Sequence, residues 1–312
     1  MKTRRDTLKL CLGTLAASSL AKAEPLVSPV ASRIIDAHTH FYDPNRPQGV
    51  PWPEKGTPLY RPAYPKDWAA EAGKVGVRET IVVECSKLPE DNNWILNLAA
   101  KEKSILGFIG RLLPGSTDFA KELKRLAANP LFRGVRPDNE AMQRNIATPE
   151  FVAGARMLAD MGLALDVNGL DDLTLVATLA DKVPNLRIVL DHVGNPGDPK
   201  ALRPGWKEGI SALAKRRNVF TKVSALVEYN GPEYGKAPVD PAYYLPVLNH
   251  VWEAFGDERL IFASDWPVSE KGASYGALFA IVAEFFKTKG GDDCEKFFWK
   301  NSQAAYKWVD RK

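Results

Sequence analysis

The sequence predicts an α/β protein built as a single (β/α)8 TIM barrel. Three observations carry that expectation: eight short apolar runs alternate with amphipathic stretches along 312 residues, no low-complexity linker divides them, and nearly every run ends in a polar or ionisable residue. A length of 312 residues admits two domains or one large barrel. With 45% hydrophobic and 26% charged residues, collagen-like, coiled-coil and disordered chains are excluded.

The first 23 residues read as an export signal and are set aside from the fold. Thr3-Arg4-Arg5-Asp6-Thr7-Leu8-Lys9 resembles a twin-arginine pattern, with Thr7 where a large apolar residue is usual. An apolar stretch over 10–20 and the small-x-small site Ala21-Lys22-Ala23 follow, predicting cleavage before Glu24 and a periplasmic destination without a membrane anchor. The leader holds Lys2, Arg4, Arg5, Lys9 and Lys22 against Asp6, which accounts for the whole formal charge of +4. Residues 24–312 are therefore neutral overall, and their charge balance points away from nucleic acid and anionic membrane as partners. Cys11 leaves with the leader. Cys85 and Cys294, far apart in sequence, do not suggest a disulfide framework.

The expected strands are 34–40, 80–86, 105–112, 132–136, 163–168, 187–193, 219–226 and 260–266, each apolar, β-branched or aromatic and bounded by turn residues. Helical periodicity falls between them at 91–103, 117–128, 148–161, 171–183 and 206–217, several of these opened by a Thr or Asp cap. The stretch 244–255, which contains His250, reads as a helix of the outer ring. A doubly wound sheet is the competing architecture. It would place a glycine-rich phosphate turn after the first strand, where this chain has Asp36-Ala37-His38-Thr39-His40.

Alternation along a strand sends every second residue inward, so polar groups at inward positions near the strand ends converge on one mouth of the barrel. Counting in that way gives His38 and His40, then Glu84, Arg111, Arg136, Asp166 with Asn168, His192, Lys222 and Asp265. Residues chosen only for packing would be Val, Ile or Leu, so this rim predicts an active site. His-x-His brings two imidazoles to one spot, their backbones about 7 Å apart. The eighth strand closes against the first and adds Asp265. Two imidazoles and a carboxylate form a hydrolytic metal set with a position left for water, most simply one Zn²⁺. Glu84 is either a fourth ligand or the partner of a nearby cation, and the residues leave both open. The segment 41–65 is long and rich in aromatic residues and proline. It is expected to form a rim loop, with Trp52 available to stack on a ring and Arg46 and Arg61 available to an acid.

Ile35-Asp36-Ala37-His38-Thr39-His40, Trp52-Pro53, Phe132-Arg133-Gly134-Val135-Arg136, Leu190-Asp191-His192-Val193-Gly194, Ser264-Asp265-Trp266-Pro267 and Asn301-Ser302-Gln303-Ala304-Ala305-Tyr306 occur in that order. Over residues 33–308 the chain resembles the amidohydrolase-related group that includes fuconolactonases and pyrone-dicarboxylate lactonases. The resemblance implies a TIM barrel that hydrolyses a lactone, with His38, His40, His192 and Asp265 at the metal or base positions and Arg136 holding substrate. The sequence departs from the metal-rich members, which carry a bridging Lys on the fourth strand and a His on the fifth. Arg136 and Asp166 or Asn168 stand here, so a binuclear centre is not expected.

The expected activity is therefore opening of a small lactone by water that Asp265 activates. His192 assists, and Arg136, Lys222, Asn168 and Trp52 bind substrate. A metal-independent lactonase would use the same residues, with His192, Arg136 and Lys222 polarising the carbonyl. A metal-dependent decarboxylase of the same superfamily and an exported, non-catalytic binding protein are the other readings.

Overall fold

The computed structural model describes residues 30–311, and the leader expected over 1–23 lies outside them. Eight parallel strands form the barrel: β1 Ile35–Thr39, β2 Glu79–Val83, β3 Ile105–Gly110, β4 Phe132–Val135, β5 Ala164–Val167, β6 Arg187–Leu190, β7 Val219–Val223 and β8 Leu260–Phe262. Each pairs with the next in order. A parallel bridge between Thr39 and Trp266 brings the last segment back to β1, with the Asp265 amide donating to the His38 carbonyl at 2.9 Å. A two-stranded hairpin, Gly197–Asp198 with Ala201–Leu202, stands apart from the barrel.

The expected helices form where the periodicity places them: Asp91–Lys101, Phe119–Ala127, Pro149–Asp160, Thr174–Lys182 and Trp206–Ala214. The Thr148 hydroxyl accepts from the Phe151 amide and caps the third of these. Leu245–Phe255 is a helix of the outer ring. There His250 lies against the Trp206 ring, its Nε2 3.0 Å from the Lys207 carbonyl oxygen, well away from the barrel mouth.

Alternation divides the apolar residues into two layers. Val82, Val135, Leu165, Leu190 and Val223 face the helices in one large core, whereas Ile81, Leu106, Ile109, Ala164, Val189, Phe220 and Ile261 form a second cluster inside the barrel with Tyr306 and Trp308. The C-terminal segment thus plugs the N-terminal end of the barrel, since the Val309 amide donates to the Leu106 carbonyl. The opposite end stays open.

The strands are all shorter at their C-terminal ends than the sequence predicts, by one to four residues. Residues there leave the sheet: His192, Val193, Asn195, Ala225 and Asp265 all have φ between 45° and 60°. For non-glycine residues, and above all for β-branched Val193, this left-handed backbone is costly and persists only where the surroundings impose it. Here the constraint includes the Trp206 indole donating to the Val193 carbonyl at 2.7 Å.

Candidate active site

On β1 the register shifts between Asp36 and Thr39. The irregularity lets Asp36 point outward, accepting from Ser264, Trp68 and Tyr275, while His38 and His40 turn inward. Asp36 therefore ties β1 to the segment after β8 and to the outer helices. Simple alternation would have put Asp36 and His38 on one face.

The tautomer of one imidazole is assignable. His40 Nδ1 lies 2.9 Å from the Val83 carbonyl oxygen, which can only accept, so the ring proton sits on Nδ1. His38 has a donor-only group beside each ring nitrogen, the Arg136 guanidinium 3.3 Å from Nε2 and the Lys222 ammonium 3.2 Å from Nδ1, with Asp191 Oδ1 3.4 Å from Nδ1. His40 Nε2 then carries a lone pair. It lies 3.3 Å from His38 Nε2, and Asp265 Oδ1 is 3.0 Å from His40 Nε2 and 3.3 Å from His38 Nε2. His40 Nε2 and Asp265 Oδ1, both acceptors, repel at that range unless a cation joins them. Ligands bound at about 2.0–2.1 Å around a tetrahedral Zn²⁺ stand about 3.3–3.4 Å apart. The residues present fit such an ion, and His38 with Asp191 and His192 forms a second overlapping group of candidate ligands.

Charge around this cluster is closely paired. Lys222 Nζ, with no exposed surface, lies 2.6 Å from Asp166, 2.9 Å from Asp191 and 3.2 Å from His38 Nδ1, and the Tyr306 hydroxyl donates to Asp166 at 2.9 Å. Burial pushes Asp166 up to about 6 despite the opposing Lys222 charge. Burial acts the same way on Asp191, but Lys222 and His38 outweigh it and hold that carboxylate well below its usual range. Asp265 is likewise kept low against burial, by His192, His38 and His40. Burial lowers His192, and burial together with Lys222 lowers His38.

Above the cluster opens a cavity of about 410 Å³ lined by His40, Trp52, Arg136, Asn168, His192 and Asp265, among others. Arg136 Nε donates to Glu84 Oε1 at 3.0 Å and Arg111 Nε to Glu84 Oε2 at 2.9 Å. Trp52 packs edge-on against His40 and Tyr42, with centroids at 6.0 and 5.5 Å.

Residues 35–308 match the amidohydrolase family. The chain belongs to the amidohydrolase family. It is 31% identical over 256 residues to an L-fucono-1,5-lactonase of Burkholderia ambifaria, covering 80% of this chain and 85% of that one. A zinc-bound amidohydrolase from Burkholderia multivorans superposes with a TM-score of 0.79 at 22% identity, over 89% of this chain and all of the other. Amidohydrolase 2 from Bifidobacterium longum subsp. infantis gives 0.69 at 26% identity, over 88% and 99%. The barrel fold expected from the sequence is shared with these proteins, and this amidohydrolase is a hydrolase of the lactonase-like kind.

Within this amidohydrolase, His38, His40, Asp265, His192, Arg136, Asn168 and Trp52 meet at one mouth, as the sequence predicts. Three expectations change. Lys222 does not line the cavity: it points inward as expected but sits one layer deeper, enclosed by Asp166, Asp191 and Tyr306, so substrate does not reach it. His192 reaches the site through its left-handed turn rather than by strand alternation, and its Nδ1 lies 2.9 Å from Ser224 Oγ. Arg46 and Arg61 are taken by Asp91 and Glu270. Of the two roles open to Glu84, the structure places it between two guanidinium groups. Asp191 was not among the expected site residues. Extending the alternation from Val189 by one step would have found it, because β6 ends at Leu190 and Asp191 keeps the inward parity.

Proposed function

We propose that this amidohydrolase opens a small lactone, either a sugar lactone or the lactone of a carboxylic acid, with one divalent metal ion held by His38, His40 and Asp265. The observation that carries the proposal is the convergence of three candidate ligand atoms within 3.3 Å at the floor of the cavity. A bound divalent ion, Zn²⁺ most simply, supplies polarisation of a carbonyl oxygen and acidification of a water molecule. The L-fucono-1,5-lactonase of Burkholderia ambifaria, 31% identical to this chain, supports the lactone class.

The chain's own residues do the rest. Asp265 Oδ1 belongs to the three-atom cluster, whereas Oδ2 stands 3.9 Å from His192 Nε2. Oδ2 is the oxygen free to take a proton from the attacking water and return it to the ring oxygen as the acyl C–O bond breaks, giving a hydroxy acid. Its low proton affinity keeps it ionised at neutral pH. Arg136, fixed by Glu84, directs N–H groups at the carbonyl or at a substrate carboxylate. Asn168 Oδ1 is buried without a partner among the described residues and accepts from a substrate hydroxyl. Trp52 covers the ring.

A metal-independent route has one observation of its own, the Arg136 guanidinium 3.3 Å from His38 Nε2, which places a permanent cation beside the cluster. Elemental analysis of residues 24–312 purified without chelator, with acid release measured on a lactone panel, separates the two. About one zinc per chain, lost together with activity in His38→Ala, supports the metal route. Full hydrolysis without metal overturns it.

Export to the periplasm with cleavage before Glu24 belongs to the same proposal and rests on the order of paired arginines, apolar run and small-x-small site. Replacing Arg4 and Arg5 by Lys should retain the protein in the cytoplasmic fraction. Periplasmic recovery of that variant overturns the route.

A further inference from the structure

A second cavity of about 510 Å³ adjoins the first, and Trp52 lines both. Each volume falls in the range of about 300–1,000 Å³ typical of small-ligand sites. One cavity suffices for a lactone ring, so the second asks for another occupant. Its lining combines aromatic side chains with carboxylates: Trp52 and Tyr234, with Glu54, Glu228 and Glu233, and Lys271 as a cation. Aromatic faces that pack on C–H groups, beside acceptors for neighbouring hydroxyls, match the surface of a sugar ring.

Two further observations concentrate here. Glu228 is 7% exposed, and neither of its carboxyl oxygens has a hydrogen-bond partner among the described residues. A buried carboxyl without partners is costly, and a ligand hydroxyl would supply them. Burial and the nearby Asp265 charge also push Glu228 well above the usual carboxyl range, which leaves it able to donate as well as accept. In addition, three of the five exposed large apolar side chains among the described residues, Tyr229, Tyr234 and Val239, stand on the segment that follows β7 and borders both cavities. Exposed aromatic side chains at the edge of a cleft are binding surface rather than core.

We propose that the cavity beyond Trp52 is a second sugar subsite, and that the preferred substrate is the lactone of a disaccharide acid, whose second ring lies between Tyr234 and Glu228. This inference rests on the lactonase reading above. In a six-membered sugar lactone, C4 lies across the ring from the carbonyl carbon. A unit linked there points away from Asp265 when the carbonyl faces it. The hydrolytic step is unchanged, with the acyl C–O bond breaking in the ring that occupies the first cavity.

The test compares the kcat/KM of cellobiono- and lactobionolactone with that of glucono- and galactonolactone, using the full mature chain. The disaccharide lactones should be preferred by about tenfold or more, mainly through KM. Tyr234→Ala and, independently, Glu228→Gln should bring that ratio toward one. Equal or poorer use of the disaccharide lactones, with the simple lactones turned over, overturns the subsite and leaves the lactonase reading standing. So does a ratio unmoved in both variants. Failure on every lactone overturns the lactonase reading and this inference with it.

Discussion

The two halves of the barrel interior are built from the same inward-pointing positions and differ in what fills them. Toward the N-terminal end, Leu106, Ile109, Val189, Phe220 and Ile261 pack under the Tyr306 and Trp308 plug. Toward the C-terminal end, on some of the same strands, the next positions are Arg136, Asp166, Asp191, Lys222 and Asp265. All are buried, and each lies within 3.5 Å of an opposite charge or an imidazole. The lower half is held by burial of apolar surface, which tolerates small adjustments of shape. The upper half is held by pairing, where removal of one member strands another charge away from water. Tyr306 belongs to both, since its ring sits in the lower cluster and its hydroxyl donates to Asp166.

The contrast yields ordered expectations. Asp265→Asn should lower kcat on a cleaved lactone by about 10²–10⁴-fold, the range for loss of a proton-transfer group, while thermal melting shows the fold retained. Activity near that of the unaltered enzyme would remove Asp265 from the reaction. Lys222→Met should cost about 3–5 kcal/mol of unfolding free energy, because Asp166 and Asp191 would keep their burial and lose their cation. A neutral result in urea unfolding would show the pairing of the upper half to be dispensable. Leu106→Ala, in the lower half, should cost about 2–5 kcal/mol through the cavity it leaves, yet change kcat/KM by about twofold or less. A large loss of activity at retained stability would break the division between the halves.

The smallest effect expected is on pH dependence. Asp265 is depressed in the folded state, so its ionised form persists below the ordinary carboxylate pKa. The stability it contributes is complete above that value and lost only as pH falls through the lower folded one. His38 and His192 are also depressed and stay neutral down through their ordinary range. These side chains should therefore put the acid limb of kcat/KM below about pH 4 and add no inflection of their own near 6.5. An inflection there that survives metal removal would mean that an imidazolium takes part, whereas one lost with the metal belongs to its bound water.

Much of the site was legible before any coordinates, because strand alternation is a local property. At β4, β5 and β7 it places Arg136, Asp166, Asn168 and Lys222 inward without knowledge of their neighbours. It fails where the backbone leaves the sheet. His192 and Val193 adopt a left-handed turn that no residue type there favours, and the register shift on β1 separates Asp36 from His38. Depth was illegible as well: Lys222 and Asn168 share an inward parity, yet one is enclosed and the other borders the cavity.

Composition, alternation and the order of motifs by themselves determined the barrel, its single mouth and the residue types gathered there, since each follows from period-two burial and from the cost of placing charge inside a fold. The tertiary structure decided which carboxylate meets which cation, which imidazole nitrogen carries the proton, and that a second cavity lies beyond Trp52. These depend on distances of a few ångströms between segments as far apart as His40 and Asp265, and only the closing of β8 onto β1 sets them.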